Sequence, residues 1–112
     1  MTPRRGEIWL VDFGEPVGRE QAGIRPAVIA STDALNEGPA GVVLVVPLTS
    51  TRRELPSHVE VEPGESGLDY PSYAKCEDLK SRSERRLVDR LGVAGPEPMF
   101  EIGRVLRYLL EL

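Results

Sequence analysis

Arg25 stands directly before a short apolar run, Pro26-Ala27-Val28-Ile29-Ala30-Ser31, and Thr49-Ser50 end the most apolar, β-branched run of the chain, Gly41 to Leu48. A guanidinium matches two anionic oxygens at once, and its pKa above about 12 makes it a charge stabiliser rather than a base. A hydroxyl at the end of a well-fixed strand can be aimed at a phosphate oxygen. Further along, Lys75 and Glu77 lie two apart, which on a strand puts both on one face. A carboxylate beside cations can accept a proton, and the lysine can return one or hold a phosphate. Together these residues are equipped to stabilise an oxyanion and move protons. Residue type alone leaves other readings open: an arginine covering a sheet edge, a Thr-Ser turn opening, a solvent-facing Lys-Glu pair.

The elements that must position them follow from pattern. Glu7 to Phe13 reads as a first strand, ended by Gly14 and Pro16. Glu15 to Arg25 has two glycines and no sustained period, so it reads as a loop of about ten residues, long for a small domain. Pro26 to Ser31 and Gly41 to Leu48 read as strands pairing at the centre of a sheet. His58 to Glu62 alternates with period 2, and Ser72 to Leu79 reads as a strand interrupted by Lys75, Glu77 and Asp78. Ser83 to Leu87 is a serine-capped helical turn, and Val88 to Val93 is extended. Pro96 opens an amphipathic helix whose Met99, Ile102, Val105, Leu106, Leu109 and Leu110 recur at spacings of three and four, with Gly103 marking a close approach to a neighbour. Short strands, one long loop and a terminal helix imply a mainly β fold, a small curved barrel with the helix packed against it.

Bulk composition narrows the partners. The 112 residues suit a single domain, 1–112, and 40% hydrophobic with 29% charged residues is ordinary for a globular protein. A net charge of −4 excludes a protein that coats nucleic acid electrostatically, and 5% aromatic content argues against recognition carried by stacking. Any nucleic-acid contact has to be local. One cysteine, Cys76, excludes an intramolecular disulfide and suits a reducing cytoplasm. On a strand it points opposite Lys75 and Glu77, into the core. No His/Cys pair has ligand spacing, so no metal is expected. Neither a signal peptide nor a membrane span is expected.

Three segments carry a resemblance covering Arg5 to Leu112. They are Arg5-Gly6-Glu7-Ile8-Trp9-Leu10-Val11-Asp12; Gly18-Arg19-Glu20-Gln21-Ala22-Gly23-Ile24-Arg25-Pro26-Ala27-Val28-Ile29; and Val45-Val46-Pro47-Leu48-Thr49-Ser50 followed by Leu55-Pro56-Ser57-His58-Val59. In this order and spacing they resemble the MazF/PemK toxins. The resemblance implies an SH3-like barrel of the CcdB/PemK kind, a homodimer, and cleavage of single-stranded RNA at short sequences without a metal or other cofactor. It also implies a cognate antitoxin laid across the RNA groove, with operator DNA met only indirectly through that antitoxin.

Cleavage of that kind uses the RNA's own 2′-hydroxyl against the adjacent phosphate, leaving 2′,3′-cyclic phosphate and 5′-hydroxyl ends. On this resemblance Arg25 stabilises the phosphorane and Thr49 is the second catalytic residue with Ser50 supporting it; Glu77 is the third catalytic candidate, on its own chemistry as a carboxylate beside cations, and which residue is the general base and which the general acid stays open. Arg19, Gln21, Arg52, Arg53, Lys75 and Lys80 bind substrate in a basic groove. One branch of the family carries Arg and Asp in place of Lys75 and Glu77, and a catalytic His in place of Arg19. His58 sits at the family's structural strand start. Arg82, Arg85, Arg86 and Arg90 are read as solvent-facing, paired with Glu84 and Asp89. The competing functions are a CcdB-like gyrase-poisoning toxin, disfavoured by the second segment together with Thr49-Ser50, and an inert SH3-like interaction module.

Overall fold

The computed structural model describes residues 2–15 and 22–112. In chain order the elements are β1 (Glu7–Asp12), β2 (Ile24–Ile29), α1 (Asp33–Glu37), β3 (Val42–Thr49), β4 (His58–Val61), β5 (Ser72–Lys75), β6 (Lys80–Ser83), β7 (Leu87–Val93) and α2 (Pro96–Leu110). Short 3-10 turns at Cys76–Asp78 and Glu84–Arg86 flank β6. Ser83 caps the second, its side chain accepting from Arg85 N, as its position before the turn leads one to expect. Helix α1 was not anticipated; Thr32 caps it by accepting from Leu35 N.

All strand pairs are antiparallel, in the order β4-β5-β3-β2-β1-β7, with β6 also on β3. Strand β3 is the hub. One edge meets β2; the other meets β6 along Val42–Val45 and β5 at Leu48 and Thr49. Residues 76–78 bulge out between those two ladders. The expected strand from Ser72 to Leu79 is therefore broken after Lys75, and Lys75 and Glu77 do not share a strand face. The cause is the switch of partner position along β3, which needs a turn where the sequence suggested continuous alternation.

The mainly β fold with a C-terminal helix is as expected, and the word barrel applies only loosely, because the sheet curls without closing. Among the described residues no ladder joins β4 to β7; instead Val93 N donates to Glu65 O at 2.9 Å, so a loop spans the gap. Period-2 alternation buries both faces of this curled sheet. Ile8, Val28 and Val46 are in register on one face with Leu48, Val59, Val61, Ala74 and Cys76, covered by Ile102 and Val105 of α2. Trp9, Val11, Phe13, Ala27, Ile29, Val43 and Val45 pack on the other. Helix α2 lies on β4 and the 76–78 turn, but its last turn overruns the sheet, leaving Leu110 55% exposed. A side chain at Gly103 would meet nothing within 4 Å, so the expected close approach is absent within the described residues.

Candidate active site

Arg25 is the second residue of β2 and Thr49 the last of β3. The β2–β3 register matches Ala27 with Pro47 and Val28 with Val46; continued by two residues, it sets Arg25 opposite Thr49. The strands bury their apolar middles and leave these polar ends at the rim, Arg25 exposed and Thr49 half-buried. Arg25 Nε donates to Ala22 O at 3.3 Å, which turns the guanidinium along the chain that enters β2. Thr49 Oγ1 accepts from Thr51 N at 3.2 Å. That bond uses an oxygen lone pair and leaves the hydroxyl proton free to be donated.

Arg25, Thr49, Ser50, Thr51, Asp69 and Tyr70 line one cleft of about 600 Å³. Asp69 and Tyr70 are not among the candidate residues, because they fall in the segment between the strand ending at Glu62 and the one starting at Ser72. The signal there was a tyrosine set between the turn formers Asp69 and Pro71.

Other candidate residues lie elsewhere. Glu77 Oε1 accepts from Ser57 Oγ at 2.8 Å, and its Oε2 lies 3.0 Å from His58 Nε2. Burial raises the Glu77 carboxyl, but hydrogen bonds from Ser57, its own backbone and His58 more than offset this and leave it below the usual value. The His58 side chain is 3% exposed, and its Nδ1 is buried without a hydrogen-bond partner among the described residues. This trio ties the 50–57 loop to the 76–78 turn, a contact sequence spacing did not announce.

Lys75 and Lys80 both turn to Asp78, at 3.6 and 3.3 Å, with side chains only 21% and 13% exposed. Lys80 and Arg82 each lie 5.6 Å from the Phe13 ring centroid. Arg52 pairs with Glu54 at 3.3 Å and borders a separate cleft of about 420 Å³ with Tyr73 and His58; Arg53 is exposed. Arg19 and Gln21 lie outside the described residues. Among the described residues, Lys75, Lys80, Arg52 and Arg53 do not border the cleft of Arg25. Arg86 meets Asp12 at 3.9 Å and Arg90 meets Glu7 at 2.6 Å, in place of the expected Glu84 and Asp89.

Cys76 is 1% exposed in the core, where burial foremost and then the Glu77 charge push its thiol up to about 11. A group so protonated at neutral pH is no nucleophile. Among the described residues no group of three His, Cys, Asp or Glu side chains is placed to hold a metal ion. No helix of the described residues is long and apolar enough to cross a membrane. A wider cleft of about 720 Å³ between β4 and α2 is bordered by Glu60, Glu62, Glu65, Glu97 and Glu101. Arg104 also borders it but is paired with Glu101 at 2.8 Å, so the excess of carboxylates repels a phosphate chain and the smaller cleft is the better anion site despite its size.

Comparison with known proteins agrees with the fold. The crystal structure of MazF from Deinococcus radiodurans superposes with a TM-score of 0.85 and 27% identity, covering 100% of this chain and 99% of that one. An endoribonuclease in complex with its cognate antitoxin, from a Mycobacterial species, matches at TM-score 0.82 and 30% identity over 98% of this chain and 96% of that one. A MazE–MazF structure from Deinococcus radiodurans matches at 0.82 and 26% over 100% and 98%. The sequence pattern described as PemK-like, MazF-like toxin of type II toxin-antitoxin system spans residues 4–110. The chain belongs to the PemK-like, MazF-like toxin family of type II toxin–antitoxin systems.

Proposed function

We propose that this toxin is an endoribonuclease that cuts single-stranded RNA by in-line attack of a 2′-hydroxyl on its own phosphodiester. The observation that carries the reading is the meeting of Arg25 and Thr49, from adjacent strands, at the rim of one cleft with Ser50 and Thr51. The O2′–P bond forms as the P–O5′ bond breaks; one proton leaves O2′ and one is delivered to O5′. Arg25 faces the charge that grows on the non-bridging oxygens, where a fixed guanidinium stabilises the transition state more than the ground state. Thr49 donates its hydroxyl proton as a hydrogen bond to one of those oxygens, with Ser50 beside it. For the O2′ proton, the carboxylate bordering the cleft is Asp69. Glu77, held by Ser57 and His58, acts by positioning the 50–57 loop.

The same reading takes a cognate antitoxin as partner, in line with the antitoxin-bound relatives. A homodimer is supported by the exposed apolar residues of α2, Phe100 at 73% and Tyr108 at 78%. The test is incubation of the purified chain with a long RNA in excess EDTA, followed by mapping of 5′-hydroxyl ends. Discrete cuts that vanish in Arg25→Ala and Thr49→Ala are expected. An uncut RNA, or cuts that persist in both variants, would sink the proposal.

A further inference from the structure

The chain has six aromatic residues, one Trp, three Tyr and two Phe. Trp9 and Phe13 are buried, Phe100 and Tyr108 lie on α2, and Tyr73 borders the cleft beside Arg52. Tyr70 alone among the described aromatics borders the cleft of Arg25 and Thr49, and it is 68% exposed. A ring that exposed gains little from packing, so burial does not account for its position.

The segment carrying it is nonetheless firmly held. Gly67 and Gly92 let two backbones touch: a Cβ on Gly67 would lie 2.2 Å from Leu91 O, and one on Gly92 2.1 Å from Glu65 O. Ser66 is 2% exposed; its Oγ donates to Glu62 O at 2.6 Å and accepts from Leu68 N at 3.2 Å. On the far side Ser72 Oγ donates to Tyr70 O at 3.2 Å, and Pro71 restricts the backbone between them. The backbone is thus pinned before and after a ring left facing solvent at the site.

We propose that Tyr70 is a stacking platform for one nucleobase of the RNA held at the Arg25–Thr49 cleft, an inference that rests on the ribonuclease reading above. The electrostatics of the site call for such a group. The protein is acidic, and Lys75 and Lys80 are engaged by Asp78. Among the described residues Arg25 is then the cation bordering this cleft, and a preformed aromatic face adds affinity with little ordering cost. The stacking is tolerant of base identity and sets which nucleotide sits beside the scissile phosphate.

The experiment measures KM and kcat on a short RNA with one cleavage site, for the wild type, Tyr70→Ala, Tyr70→Phe and Tyr70→Trp. The same RNA carrying an abasic nucleotide at each position in turn provides the second axis. Base stacking of the usual strength predicts KM raised about 5- to 100-fold in Tyr70→Ala, with kcat and melting temperature nearly unchanged and the aromatic variants close to wild type. One abasic position should weaken the wild type by a similar factor and leave Tyr70→Ala unaffected. A wild type that cuts while Tyr70→Ala keeps its KM, or abasic losses identical in both, overturns the stacking role alone. A wild type that cuts no RNA overturns the ribonuclease reading and this inference with it.

Discussion

Replacing Gly92 by alanine would set a methyl carbon 2.1 Å from Glu65 O and 2.6 Å from the Ser66 carbonyl carbon. A carbon–oxygen contact rests at about 3.3 Å or more, so the two backbones must part by about 1 Å. Both walls are main chain, which cannot swing aside as a long side chain would. Overpacking of that kind costs about 1–3 kcal/mol. The Val93–Glu65 hydrogen bond that closes the gap in the sheet is lost as they part, adding about 1 kcal/mol. Gly67→Ala meets Leu91 O at 2.2 Å and also forces a side chain onto φ +74°, a left-handed conformation costing about 1–2 kcal/mol more. Gly103→Ala is the counterpart: nothing lies within 4 Å, the residue is inside α2, and alanine should stabilise by about 0.5–1 kcal/mol. With roughly 4–8 °C per kcal/mol for a domain near this size, Gly92→Ala and Gly67→Ala should lose about 10–25 °C in melting temperature while Gly103→Ala gains a few. Urea and thermal denaturation of the three purified variants measure this. If Gly92→Ala melted within 2 °C of wild type, the backbone contact between the 65–67 segment and β7 would not exist as described.

Three further outcomes are expected. Glu77 and Glu7 both lie below the usual carboxylate value of 4.5; for each, burial acts against the shift and hydrogen bonds, from Ser57 and His58 or from Arg90, outweigh it. A depressed folded pKa contributes stability that is present above 4.5 and lost as pH falls through the folded value, so Glu77→Gln should narrow the wild-type loss in urea midpoint between pH 5 and 3; parallel curves would refute the assignment. Since Arg25 is the cation that borders the cleft among the described residues, the slope of log kcat/KM against log salt should be shallow, about −1 to −2; a slope near −6 would show a wide basic groove instead. Asp69→Asn should lower kcat about 100-fold or more with little effect on melting, whereas Glu77→Gln should leave kcat within a few-fold; the reverse pattern, read by single-turnover cleavage, would return the proton-acceptor role to Glu77.

Much of the fold was legible because the strands are short apolar runs or, at His58 to Glu62, alternate, and α2 has an apolar stripe. Each is a local signal that tertiary packing reinforces. The break at residues 76–78 was not, since the local pattern of Ser72 to Leu79 is compatible with one strand; only the need of β3 to serve β5 and then β6 puts a turn there. Lys75 and Glu77 were separated by that turn, and Lys80 was drawn to Asp78. Arg25 and Thr49 each flank an apolar run, where a polar side chain reaches solvent on a fixed backbone, but it was the resemblance to the toxin family that singled them out from an edge arginine and a turn-opening threonine. That they border one cleft depends on the antiparallel register of β2 on β3, a relation between residues 24 apart that no local pattern encodes. The same holds for Asp69 and Tyr70. The sequence by itself determined most of the strands, helix α2 and the residue types able to serve; tertiary structure alone decided the break at 76–78 and which side chains met, because partner choice and register are set by packing between distant segments.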